Sequence, residues 1–137
     1  MPSSYNQPVA NMQFVVAIEN APGALAGLSE RLAQRDIDIR ALGSAALGKQ
    51  SLVVLTTSND DLARQVLRDA GLQFDENEAL SATIEDHPGA LARLARTLAD
   101  AGVNIQSVLT IGRRQGKAQL AISVDDPERA RKALALI

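Results

Sequence analysis

The stretch EDHPGALARLARTLADAGVNI, residues 85–105, decides how this chain folds. Pro88 suits the opening turn of a helix, because its φ is pre-set and its missing N–H would have had no partner there. Gly89 is harder to understand, since glycine inside a helix costs roughly 1 kcal/mol against alanine. Residues 19–39 read ENAPGALAGLSERLAQRDIDI, so the same Pro-Gly-Ala-Leu-Ala occurs twice.

Outward from that stretch the chain repeats itself, a property to settle before any other reading. Pro22 recurs 66 residues later as Pro88. With that offset Ile18, Glu19, Gly23, Ala24, Leu25, Ala26, Leu28, Leu32, Ala33 and Ile39 also recur unchanged. Further on the offset is 67, matching Ala63, Arg64 and Leu67 to Ala130, Arg131 and Leu134. One residue has been added in between, most simply in the turn GRRQG (112–116) against LGKQ (47–50).

Each copy shows the same succession of periods. FVVAIE (14–19) and LSATIE (80–85) have the β-branched content of strands. Leu25, Leu28 and Leu32, and again Leu91, Leu94 and Leu98, fall at helical spacing. Gly102 suits the end of the second helix, and Asp36 takes that place in the first. Val103, Ile105, Ser107, Leu109 and Ile111 alternate with other residues, as do Ala118, Leu120, Ile122 and Val124 after the turn, which predicts a hairpin. NDDLARQVLRDAG and DDPERARKALALI then open with acids suited to a helix N-terminus. LQFDE (72–76) supplies a last strand to the first copy.

The predicted fold class is therefore α+β: two tandem ferredoxin-like (βαββαβ) units with antiparallel sheets, the second lacking its last strand. A polar tail (1–12), a first unit (13–76) and a second unit (79–137) divide the chain. Strand 80–86 is left with an open edge, to be covered by the N-terminal tail, a second molecule or a downstream segment.

Composition limits what such a fold can do. The 137 residues carry 14 Lys and Arg against 16 Asp and Glu, a net charge of −2, which is no nucleic-acid footprint. There is no cysteine, and His87 is the single histidine, so thiolate or imidazole metal sites have few ligands available. Covalent catalysis lacks its usual groups, and neither an enzyme nor a cofactor is expected. Residues 1–12 lack a signal peptide's basic and apolar regions, and no apolar run approaches a membrane span of about 18 residues. One Tyr, two Phe and no Trp imply an aliphatic core and leave few surfaces for stacking bases. A cytoplasmic protein that binds neither membrane nor nucleic acid is expected.

The strand-to-helix turn exposes N–H groups at the positive end of a helix, a place for an anion or carboxylate. Gly23 and Gly89 add no side chain to block it, and Asn20 and Asp86 stand at its mouth. Equally, glycine could merely let the helix pack closely on the sheet. The acidic pairs Asp60-Asp61 and Asp125-Asp126 are most simply helix N-terminal charges.

The ordered set [N/D]-x-P-G-A-L-A, an aliphatic helix, then Ile-Asp-Ile or Val-Asn-Ile, resembles the ACT domain, a small regulatory module that mostly senses free amino acids. The resemblance covers residues 13–76 and 79–137. It implies an effector held between the first strand-to-helix loop of one unit and the start of the second strand of a neighbouring unit. Carried over, the loop groups are Asn20, Ala21, Pro22, Gly23, Ala24 and Leu25, with Asp86, His87, Pro88, Gly89, Ala90 and Leu91. The facing groups are Asp38, Ile39 and Arg40, and Asn104, Ile105 and Gln106. Ala21 stands where the second loop has His87, so the two loops need not be equivalent, and the second is favoured. The expected function is non-catalytic regulation by a small amino acid at an interface between such units, in a homodimer acting on a regulated enzyme. The alternative is a ligand-independent interaction or dimerisation module. An aliphatic wall favours a small or branched amino acid.

Overall fold

The computed structural model describes residues 8–136. Its elements are β1 (Pro8–Glu19), α1 (Ala24–Gln34), β2 (Ile39–Leu47), β3 (Gln50–Thr57), α2 (Asp60–Asp69), β4 (Phe74–Glu85), α3 (Ala90–Asp100), β5 (Ile105–Arg114), β6 (Lys117–Val124) and α4 (Pro127–Leu134). They form two compact units, Asn11–Asn77 and Glu78–Ile137, and residues 8–10 group with the second.

In the first unit β3 is central, pairing antiparallel with β1 from Phe14↔Leu55 to Glu19↔Gln50 and with β2 on its other side. The Ala17 N–H donates to the Gln73 carbonyl at 2.9 Å, where the chain enters β4 beside β1. The order β2-β3-β1-β4 is that of a ferredoxin-like sheet. In the second unit β6 pairs antiparallel with β4, from Glu85↔Lys117 to Leu80↔Ile122, and with β5.

The two cores repeat one another position by position. Phe14, Val16, Ile18, Leu28, Leu32, Ile37, Val53, Leu55, Ala63 and Leu67 are buried in the first. Leu80, Ala82, Ile84, Leu94, Leu98, Val103, Leu120, Ile122, Ala130 and Leu134 take their places in the second. Fully burying one such aliphatic side chain is worth about 1.5–3 kcal/mol. The aromatic exception is Phe14 against Phe74, ring centres 6.1 Å apart.

Helix ends follow two designs. Asn59 caps α2 through its side chain, which accepts from Leu62 N–H, and Asp126 caps α4 by accepting from Arg129 N–H, both at 3.1 Å. Asp60 instead accepts from Met12 N–H at 2.9 Å, and Asp125 from Asn104 N–H at 2.9 Å, so half of the acids expected at helix starts hold neighbouring strands. Asp36 takes a left-handed φ of +57° after α1; its N–H reaches the Ala33 carbonyl, and that of Ile37 reaches Leu32, closing a Schellman motif.

Three strand boundaries depart from expectation. The tail placed at 1–12 gives way to strand from Pro8 onward, while residues 1–7 lie outside the described residues. β1 extends this way because β4 lies beside it, a pairing that local periodicity cannot display. Residues 74–76 of the first segment and all of 80–85 belong to one twelve-residue strand, β4, and Leu72 and Gln73 lie before it. Both hairpin turns have two residues, Gly48-Lys49 and Gln115-Gly116, so the added residue is not in the turn. It is Ile111: β5 skips from Thr110↔Leu120 to Gly112↔Gln119, a bulge with no counterpart in β2, which pairs Ser44↔Val53 then Ala45↔Leu52. No strand follows α4 among the described residues; residues 8–10 are what the second unit has beside β4.

Candidate functional site

Each Pro-Gly loop is anchored to the hairpin of its own unit. Asn20 N–H donates to the Lys49 carbonyl and Asn20 Nδ2 to the Gly48 carbonyl, both at 2.9 Å. In the second unit Asp86 N–H donates to the Gly116 carbonyl at 2.8 Å, and Asp86 Oδ2 accepts from Arg113 Nε at 3.3 Å. The loops then close in the same way, Ala24 N–H on Ala21 O and Ala90 N–H on His87 O. His87 Nδ1 lies 3.0 Å from the Pro88 carbonyl oxygen, and the ring is exposed.

The repeated glycine is a matter of backbone. Gly23 and Gly89 are not in the first helical turn but are N-cap residues, with φ +87° and +92°. A Cβ built at either meets nothing within 4 Å, so close packing on the sheet does not require glycine there. The left-handed conformation does, at about 1–2 kcal/mol for other L-residues. Each glycine carbonyl accepts the first helical bond, from Gly27 at 2.8 Å or Arg93 at 3.0 Å. No side chain caps α1 or α3, in contrast to α2 and α4. Apart from the Ala24 and Ala90 N–H groups, which bond back to Ala21 and His87, the positive helix ends are left without a side-chain acceptor.

Asn20, Ala21, Pro22, Gly23, Asp86, His87, Pro88 and Gly89 are all exposed, and Ala24 and Ala90 half-buried. Leu28 and Leu32 enter the core, as do Leu94 and Leu98, but Leu25 and Leu91 stay 40% and 50% exposed beside the loops. The structure gathers each loop set. It does not gather the loop and facing sets of one unit. Asp38 and Ile39 open β2 at the end of the sheet opposite the hairpin, where Asp38 N–H is held by Ser58 Oγ at 2.9 Å. Nine residues of strand lie between, roughly 30 Å at about 3.3 Å per residue. Asn104 and Ile105 open β5 in the same relation to the second loop.

Hollows among the described residues include one beside the first loop, one at the β5–β6 tip and one at the end of α3 far from its loop. A groove of about 290 Å³ borders the first loop and α1, with Glu19, Gly27 and Arg31 in its wall. A second, about 370 Å³, is basic, lined by Arg113, Arg114 and Lys117 at the β5–β6 tip. The third, about 400 Å³, lies between the ends of α3 and α4 against Ala101, Ala133 and Leu136. Sequence reasoning singled out none of these grooves. The one available signal was Gly27 inside a helix at the position where the second copy has Arg93. Among the described residues, no group of three or more His, Cys, Asp or Glu could hold a metal ion, and no helix is long and apolar enough to cross a membrane.

The comparisons agree with this fold. The family model described as the ACT domain pair matches residues 7–84, and that of the ACT domain matches residues 79–137. The chain belongs to the ACT domain family. Among solved structures it is similar to a protein from Bacteroides thetaiotaomicron, 24% identical over 90% of this chain and 85% of that one, with a TM-score of 0.72. It is similar too to the ligand-free regulatory subunit of aspartate kinase from Thermus thermophilus, 18% identical over 92% and 91%, TM-score 0.62. The regulatory subunit of aspartate kinase from Thermus flavus is 17% identical over 96% and 100%, TM-score 0.61. These likenesses establish the fold. Comparison with curated proteins gave no match.

Proposed function

We propose that this chain is a non-catalytic regulatory protein that binds a small free amino acid at its Pro-Gly loops, where a loop abuts another ACT unit. The observation that carries the reading is the pair of uncapped helix starts behind Gly23 and Gly89, exposed in both units. Two backbone N–H groups at a helix start suit a carboxylate, and an Asn or Asp at the mouth suits an ammonium group. Leu25 and Leu91 offer an apolar wall. Because Asp38, Ile39, Asn104 and Ile105 lie at the far ends of their own sheets, they could face a loop only by belonging to a different unit from it. In this reading that unit comes from another copy, making a homodimer that works in the cytoplasm and passes the signal to an enzyme it regulates. Kinship of fold with regulatory subunits of aspartate kinase agrees with such a role.

A thermal-shift panel of the twenty amino acids at millimolar concentration tests this. A ligand that binds only the folded state raises Tm by mass action. A rise with one amino acid or a related few supports the sensor and names its effector. A flat panel on folded protein rejects it in favour of a ligand-independent interaction module.

A further inference from the structure

The hollow at the β5–β6 tip lies on the face of the second sheet turned away from its core. Gly112 pairs with Gln119 and Arg114 with Lys117, while Thr83 and Glu85 of β4 pair with Gln119 and Lys117 from the other side. Cross-strand partners share a face, and the intervening Ile84 and Ala118 belong to the core on the opposite one. Thr83, Gly112, Arg114, Lys117 and Gln119 thus line one hollow of about 370 Å³, and Arg113 and Gln115 complete its wall.

Strand pairing leaves two of its features unexplained. Arg114 and Lys117 are direct cross-strand partners of like charge, a destabilising arrangement. Neither makes an ion pair or side-chain hydrogen bond among the described residues, and nor does Glu85 beside Lys117. Arg113 alone is engaged, by Asp86. Gly112 is the second feature. Its φ lies outside the left-handed region, and a Cβ there would meet nothing within 4 Å. A side chain would strengthen the strand and would also fill the hollow. The bulge at Ile111 bends β5 immediately before this glycine.

The first unit shows the contrast. At the matching points of its hairpin Ala45 pairs with Leu52 and Leu47 with Gln50, in continuous register. The glycine, the bulge and the opposed cations occur together at the second hairpin only.

We propose that this hollow binds a small phosphate ester, its phosphoryl group held by Arg114 and Lys117 and the rest of the molecule lying over Gly112 and Gln119 towards Thr83. A phosphate monoester carries about −1.5 to −2 charge at pH 7, which matches two uncommitted cations; a carboxylate leaves one of them unmatched. The guanidinium fork of Arg114 suits phosphate oxygens, and an anion between the two cations relieves their repulsion. No aromatic side chain lines the hollow, so a stacked base is not part of the recognition. The volume falls within the range of about 300–1,000 Å³ for small-molecule sites. This site is additional to the amino-acid reading above, which uses none of Gly112, Arg114 or Lys117.

Calorimetric titration of the whole protein at low salt with glycerol 3-phosphate, inorganic phosphate and acetate tests it, alongside the variants Arg114→Leu, Gly112→Val and Lys49→Gln. The expected result is binding of glycerol 3-phosphate and of phosphate, with acetate at least tenfold weaker. Arg114→Leu, which restores the residue of the first hairpin, should weaken binding of glycerol 3-phosphate at least tenfold without a fall in ligand-free Tm. Gly112→Val, a residue suited to strands, should do the same by filling the hollow. Lys49→Gln, on the first hairpin, should change nothing. Undiminished binding in Arg114→Leu, or an equal loss in Lys49→Gln, overturns the site. Undiminished binding in a folded Gly112→Val overturns the shaped hollow in favour of a diffuse surface charge, and equal binding of acetate overturns recognition of a dianion. No binding of either phosphate to the unaltered protein rejects the proposal and leaves the amino-acid reading standing.

Discussion

Arg113 Nε stands 3.3 Å from Asp86 Oδ2, tying the tip of β5 to the mouth of the second Pro-Gly loop. The carboxylate that the sequence offers to an incoming ammonium group is therefore already engaged by a guanidinium of its own unit. The first loop reaches the same end without charge, through Asn20 and the Gly48 carbonyl.

Both side chains of that pair are largely exposed, 64% for Arg113 and 42% for Asp86, and such pairs contribute about 0–1 kcal/mol. Arg113→Ala should then change unfolding free energy by less than about 1 kcal/mol in a urea titration. If the second loop takes an ammonium group on Asp86, the same variant should tighten amino-acid binding and Asp86→Asn should weaken it. Unaltered binding in Asp86→Asn removes that carboxylate from the site.

Three glycines of similar appearance should respond oppositely to alanine. At Gly23 and Gly89 the left-handed φ makes alanine unfavourable by about 1–2 kcal/mol, with no clash involved. At Gly27 the helical backbone makes alanine favourable by about 1 kcal/mol. Chemical denaturation of the three single variants reads the sign directly, and a stabilised Gly89→Ala would contradict the conformational explanation.

Gln13 is completely buried on β1, and neither side-chain amide atom has a hydrogen-bond partner among the described residues. Leaving such a group unpaired costs about 1–3 kcal/mol. Gln13→Met keeps the length of the side chain and removes both polar atoms, so Tm should rise. A fall in Tm would show that the amide has a partner in solution.

Ile111 is the residue by which the second hairpin exceeds the first. Its deletion should let β5 pair continuously with β6 from Thr110 to Gly112, in the register that β2 and β3 already use. The deletion variant should fold with little change in Tm, whereas deletion of Ser44, at the matching point of β2 where no bulge can absorb it, shifts the rest of that strand and should destabilise the first unit.

The architecture could be read from the chain because its periods are local and occur twice. Leu28 and Leu32, or Ala63 and Leu67, announce a helical face within one turn or two, and the second copy confirms each position. What escaped depended on partners distant in sequence or on angles. The extension of β1 to Pro8 needs β4 beside it. A change of offset says that a residue was added but not where, and the turn was the natural guess until the pairing of Thr110 and Gly112 located the bulge. Gly89 suggested room for a ligand or for packing, whereas its φ of +92° supplies a third reason that no residue pattern displays. The loop residues were legible as a motif; the hollow at Thr83 and Arg114 was not, since one lies on β4, the other on β5, and β6 between them sets the face they share.

The grouping of residues 8–10 with Glu78–Ile137 gives the second unit a permuted order of assembly. One segment of it precedes Asn11–Asn77 in the chain and the rest follows. At about 5–20 residues per second, synthesis of the 137 residues takes on the order of 10 s. Unit Asn11–Asn77 holds all its residues once Asn77 has left the ribosome, but the segment at Pro8 must wait for the rest of β4 to be made. A fragment begun at Glu78 would never meet it and would keep a bare β4 edge, open to any strand that arrives.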